Sequence, residues 1–348
     1  MSVREIEKNK KYQIEIVTGY NGNKKIREYE TFYGGKREAI LRENEIKLQI
    51  KNHTYISKNK ITVQDLMNEF SEYNKDKWSP KTYISNVNWI KKINNKIGHI
   101  HLQDLNVKIL EDFYNYLKND TKYADKTIQH FYTLINSALN KAILWDYITY
   151  NVNKKIEKPK VRKKEVECYS PEEVRRLLEV LQNENPKYQA IIYLALDSGI
   201  RRGELTGLTW EDIDFKNSSI TINKTTQYVK ELGIFEKETK TATSDRKIYI
   251  SETTLNILKQ LKKEQLERKL KLGNKWGNSK RVFTTEYGFD MHPDTPSLIF
   301  KKIIKKYDLK KITFHGLRHT SISLMISKGI QAQIISKKAR SFQFTSNT

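Results

Sequence analysis

The chain has 348 residues, 37% hydrophobic and 30% charged, values ordinary for a soluble protein and enough apolar material for two or three separately packed domains. Lys and Arg number 64 against 41 Asp and Glu, a formal net charge of +23; such an excess serves a polyanion such as nucleic acid, or lies on solvated lysine-rich faces. The single cysteine, Cys168, excludes an internal disulfide and a multi-cysteine zinc site, and no apolar run approaches the roughly 20 residues that cross a bilayer, so a cytoplasmic protein with no membrane partner is expected.

In chain order, "KYQIEIVTGYNGNKKIREYETF" gives two alternating runs joined by a turn signal, a hairpin, and "GKREAILRENEIKLQI" follows with helical spacing. These define a small sheet-plus-helix module over residues 1–58, ending in the polar, basic stretch "KNHTYISKNK". Residues 59–158 form a domain of four or five helices, in which Ser79 caps a helix that starts at Pro80. His99 and His101 alternate in "GHIHL" as in a turn or short strand and read as structural. The basic run "KKIEKPKVRKKEVE" crosses to a third domain over residues 165–348. There Ser170, Pro171 and Glu173 form a capping box, Gly199 ends the helix "YQAIIYLALDS", and "SSITINKT" and "RKIYIS" alternate as strands. A long helix starts near Glu252, with further helices at "SLIFKKIIKKY" and "HGLRHTSISLMISKG". The fold class is mainly α with small β-sheets.

Three stretches carry chemistry. In "SGIRRGEL", Arg201 lies just past a helix-ending glycine, where backbone amides and a guanidinium can converge on an anion, and Glu204 can hold its fork; a surface arginine with a local ion pair fits this stretch equally well. In "FHGLRHT", His315, Arg318 and His319 share one helix face, a poor core stripe but a good phosphate pocket, with His319 also suited to a partly buried structural role. The histidines lack carboxylate or thiolate partners at metal-binding spacing, so no metal site is expected. Lys240 in "KTATSDRKIYI" stands at the tip of a strand pair, from which an ammonium can reach into a cleft and protonate a leaving oxygen; hairpin lysines are common.

In that order, within a basic chain, "SGIRRGEL", "KTATSDRKI" and "TFHGLRHT" resemble the catalytic domain of the tyrosine recombinases, most closely the integrases of phages and integrative elements. The helical segment is similar to that family's core-binding, SAM-like domain and the first module to its arm-type DNA-binding module. The resemblance implies site-specific recombination of double-stranded DNA at attachment sites, by a homo-tetramer, through a phosphotyrosyl intermediate that stores the energy of the broken diester and needs no metal or nucleotide cofactor. It also implies that Arg201 and Arg318 clamp the scissile phosphate, that Lys240 is the general acid for the 5′ oxygen and His315 a proton-transfer group, and that Glu204 and His319 support them.

The family further implies a "GH" pair and then a nucleophilic tyrosine, yet no tyrosine follows Arg318. With suitable silent third bases, "ARSFQFTSNT" read one base out of frame spells Leu-Gly-His-Ser-Asn-Leu-Gln-Val-Thr-Leu, and one extra A in the codons of Lys337 and Lys338 produces the shift. The expectation is a frameshifted, C-terminally truncated integrase, inactive in cis, that keeps its DNA-binding apparatus; a naturally divergent terminus is the other reading. A truncated DNA-binding protein competing at attachment sites is the alternative function.

Overall fold

A computed structural model describes residues 2–8, 10–21, 24–52, 55–56, 60–161, 167–238, 246–327 and 329. Chain contacts divide it into two compact units, Met1–Arg162 and Lys163–Thr348.

The first unit opens with an antiparallel sheet of β1 (Ser2–Glu7), β2 (Lys11–Asn21) and β3 (Lys24–Tyr33), in that order. β2 and β3 form the expected hairpin, registered from Lys11 opposite Tyr33 to Asn21 opposite Lys24, with a bulge between Val17 and Gly19. Strand alternation turns Tyr12, Ile14 and Ile16 inward, where the two isoleucines pack with Ile46 of α1 (Lys36–Lys51). β1 is an addition to the sequence reading. Its residues are almost all exposed, so backbone pairing to β2, and not a buried face, holds it in place.

Four α-helices follow: α2 (Val63–Tyr73), α3 (Pro80–Ile97), α4 (Val107–Asn119) and α5 (Asp125–Leu144). Their starts are written locally, as Thr62, Ser79 and Asn106 each accept an N–H of the first turn. Leu66, Ile93, Leu110, Phe113 and Phe131 bury at helical spacing into one core. His101 makes a single bridge to Thr62, consistent with a structural role. Some of the positive charge is laid on aromatic rings, with Lys77 and Lys141 over Tyr73 at 3.2 and 4.1 Å.

In the second unit α6 (Pro171–Leu181) carries the predicted capping box, Ser170 N donating to Glu173 at 2.7 Å. The apolar helix α7 (Pro186–Ser198) is buried along Ile191, Ile192, Leu194 and Ala195 and forms the centre of the core. Gly199 ends it with φ +60°, the left-handed conformation that glycine adopts without penalty. After α8 (Arg202–Gly207) come β4 (Ile213–Asp214), β5 (Ser219–Ile222), β6 (Lys224–Val229), β7 (Gly233–Glu238) and β8 (Arg246–Tyr249), then α9 (Glu252–Leu272), α10 (Thr295–Lys306) and α11 (Phe314–Ser327). The segment before α6 is joined directly to the last described helix and the stretch leading into it. Tyr169 N donates to Thr320 Oγ1 at 2.9 Å, and the Tyr169 hydroxyl donates to the Lys310 carbonyl at 2.7 Å.

One expectation changes here. "SSITINKT" is divided at Asn223 between two sheets, β4-β5-β8 and β6-β7. β7 pairs with β6 and β8 pairs with β5, so the strands flanking Lys240 are not partners of one another. Lys240 falls between β7 and β8 in the sequence and lies outside the described residues, as does the tail from 330 to 348.

Candidate active site

Arg201 is the N-cap of α8, and the first turn of that helix gives it a built-in partner. Glu204, three residues on, accepts the Arg201 backbone N–H at 2.9 Å on Oε2 and the Arg201 guanidinium at 2.7 Å on Oε1. Gly203 lets this helix lie close on β6, since a Cβ there would stand 2.5 Å from Thr225 Oγ1. The adjacent Arg202 serves elsewhere, bonded to Asp294 at 2.7 Å and Ser297 at 3.0 Å.

Glu204 has a second partner that the sequence reading did not select. Arg246, the first residue of β8, donates Nη1 to Oε1 at 3.1 Å and Nη2 to Oε2 at 2.7 Å. Along β8 alternate residues point inward, which puts Arg246 on the same buried face as Ile248. A charged residue at an inward position of an alternating strand was the available signal. Burial pushes the Glu204 carboxyl up, but the hydrogen bonds and charge of Arg246, joined by Arg201, hold it below the ordinary carboxylate range.

α11 brings the third guanidinium. Arg318 is 4% exposed and donates from Nη1 to the Gly199 carbonyl, at the turn that also presents Arg201. Burial and the charge of Arg201 push its pKa down to about 10, far enough above neutrality to keep it charged. His315 and His319, one turn apart on α11, meet edge to face with ring centroids 4.8 Å apart. Burial lowers both, and the charge of Arg318 lowers them further, so both imidazoles are neutral at neutral pH.

Five of the six sequence-selected residues are therefore brought together, on α8 and α11: Arg201, Glu204, His315, Arg318 and His319. Two guanidinium groups bond one carboxylate and a third lies within its field, leaving an excess of two positive charges at a partly buried point. Such a site favours an oxyanion, with planar donors for its oxygens and neutral imidazoles to take or give a proton. Among the described residues no group of three or more His, Cys, Asp or Glu is placed to hold a metal ion.

The sequence matches the Phage integrase family over residues 168–339 and the Phage integrase SAM-like domain over residues 49–157. The chain belongs to the phage integrase family of tyrosine recombinases. A XerC-like tyrosine recombinase of Caldanaerobacter subterraneus is 27% identical over 94% of this chain and 88% of its own length. The integrase of Staphylococcus phage L54a is 28% identical over 85% and 90%, and the ICEBs1 integrase of Bacillus subtilis 23% identical over 94% and 89%. In fold, the chain is similar to the Tn1549 transposon integrase solved with transposon right end DNA, with TM-score 0.70 and 20% identity over 80% of this chain and 90% of that one. It is also similar to lambda integrase solved as a dimer on a core site, with TM-score 0.59 and 18% identity over 96% and 90%. The mainly helical tyrosine-recombinase fold with small antiparallel sheets is thus the fold of this integrase-family chain. No helix among its described residues is long and apolar enough to cross a membrane.

Proposed function

We propose that the chain binds double-stranded DNA at an attachment site and grips one phosphodiester between Arg201 and Arg318, for strand cleavage and rejoining through a phosphotyrosyl intermediate. The observation that carries this reading is the convergence of two separately anchored guanidinium groups, Arg201 fixed by Glu204 and Arg318 fixed by the Gly199 carbonyl. Rigid donors that need no reorganisation stabilise charge as it builds on a pentacoordinate phosphorus. In this reading Lys240 protonates the departing 5′ oxygen, His315 moves the proton of the attacking group, and His319 supports His315. Residues 1–58 bind arm-type DNA and residues 59–158 the core site. Four copies assemble on the DNA, in the cytoplasm.

Residues 319–348 contain no tyrosine. As an alternative to strand cleavage, we propose that residues 1–348 by themselves occupy attachment sites without making the phosphotyrosyl bond in cis, and so compete there with an intact recombinase. Incubation with a nicked attachment-site duplex tests both readings. Binding that weakens when Arg201 or Arg318 is replaced, with no adduct surviving denaturation, is expected. A denaturation-resistant complex overturns the second reading, and binding indifferent to both arginines overturns the first.

A further inference from the structure

Arg246 is the buried guanidinium bonded to Glu204, and the proposed chemistry gives it no task. It is 8% exposed, stands opposite Ile222 in the sheet and shares its face with Ile248. An aliphatic side chain would continue that pattern without taking a charge out of water. The arginine is also incompletely satisfied, since its Nε has no hydrogen-bond partner among the described residues. Packing and hydrogen bonding alone therefore explain this residue poorly.

Its geometry supplies a reason. The pair of Arg201 and Glu204 is a local contact three residues apart with one third of the Arg201 side chain exposed, and such pairs are weak and loosely oriented. The fork of Arg246 takes both Glu204 oxygens, from a strand 42 residues away, and so sets the plane of the carboxylate. Those same two oxygens hold the Arg201 backbone N–H and guanidinium. We propose that Arg246 is a positioning residue for the anion clamp, fixing Glu204 in the orientation that aims Arg201 at its phosphate. This rests on reading Arg201 and Arg318 as a phosphate clamp.

The test is the affinity of the full chain for inorganic phosphate, read from the imidazole resonances of His315, together with thermal melting of each variant. Arg246→Lys keeps the charge but loses the fork, and Arg246→Met keeps the approximate volume. Each is expected to weaken phosphate binding about tenfold with the fold intact, as hydrogen bonds to charged groups are lost. If Arg246 acts through Glu204, adding Glu204→Gln to Arg246→Lys costs no more affinity than the worse single change. Arg201→Met and Arg318→Met serve as controls. Binding that falls in the controls but stays within about twofold in both Arg246 variants overturns the inference alone. Binding unchanged in all four overturns the phosphate clamp and the inference with it. Loss of the melting transition in both Arg246 variants makes the residue a stability element and also overturns the inference.

Discussion

Arg318 on α11 donates a hydrogen bond to the main-chain carbonyl of Gly199, 119 residues earlier. The turn that ends α7 thereby aims a guanidinium carried by another helix, while its next residues present Arg201. One short loop sets both halves of the proposed clamp.

Gly199→Ala is expected to destabilise the second unit by about 1–2 kcal/mol, the cost of a Cβ in left-handed backbone. The added atom meets Ser321 Oγ at 3.5 Å and Arg318 Cγ and Ser321 Cβ at 3.8 Å, all ordinary contacts, so the cost is in the dihedral and not in a clash. Amide hydrogen exchange of α7 and α11 should speed up together. Unchanged protection would show that φ at Gly199 can relax.

Glu204→Gln leaves Arg246 buried without a counter-ion and should cost about 3–5 kcal/mol, as does breaking other buried pairs. The pH dependence has a definite sign. The folded pKa of Glu204 lies below the ordinary 4.5, so its contribution is complete above that value and is lost as pH falls through the folded pKa. Melting curves from neutral pH into acid should fall less steeply in the Gln variant than in the parent.

His315 and His319 sit below the ordinary 6.5 because burial and neighbouring positive charge disfavour their protonation. Unfolded imidazoles therefore take up protons first, and acidification below 6.5 lowers stability through these two groups. A bound phosphate reverses the local field and raises both values, so DNA affinity should increase as pH falls from neutral. Fluorescence anisotropy with a labelled duplex checks this; His315→Gln should flatten the profile.

Duplex affinity should fall linearly with salt on logarithmic axes, and Arg201→Ala or Arg318→Ala should each reduce the slope by about 1. Arg202→Ala should leave the slope unchanged, because that guanidinium is engaged with Asp294 and Ser297. An equal loss at Arg202 would show that the whole α8 terminus, and not the clamp, meets the DNA backbone.

The helices and their caps were legible because their signals are local: Ser79 before Pro80, Ser170 with Glu173, and Gly199 after an apolar run each act within a few residues. The face that His315, Arg318 and His319 share on α11 was legible for the same reason, since i, i+3 and i+4 spacing fixes a helix face; pairing Arg318 with Arg201 rested on the family resemblance. What escaped depends on pairing between distant segments. β1 has too few apolar residues to announce itself, and the separation of β5 from β6 at Asn223 leaves no mark in an unbroken alternating run. Arg246 was passed over as one more basic residue in a basic chain, although the alternation of "RKIYIS" sets it on the face of Ile248; its partner Glu204, 42 residues away, shows only in the fold.

The bonds from Tyr169 to Thr320 and Lys310 span 151 and 141 residues and join the entry of the second unit to its last described helix and the segment before it. A chain still growing on the ribosome with everything through α10 exposed has Arg201, Glu204 and Arg246 available, yet neither this latch nor Arg318. Long-range closures of this kind come late in folding, because loop entropy must be overcome before they form. On the reading of Arg201 and Arg318 as a phosphate clamp, the nascent polypeptide thus lacks the second arginine of that clamp until α11 emerges, whatever its earlier segments already bind.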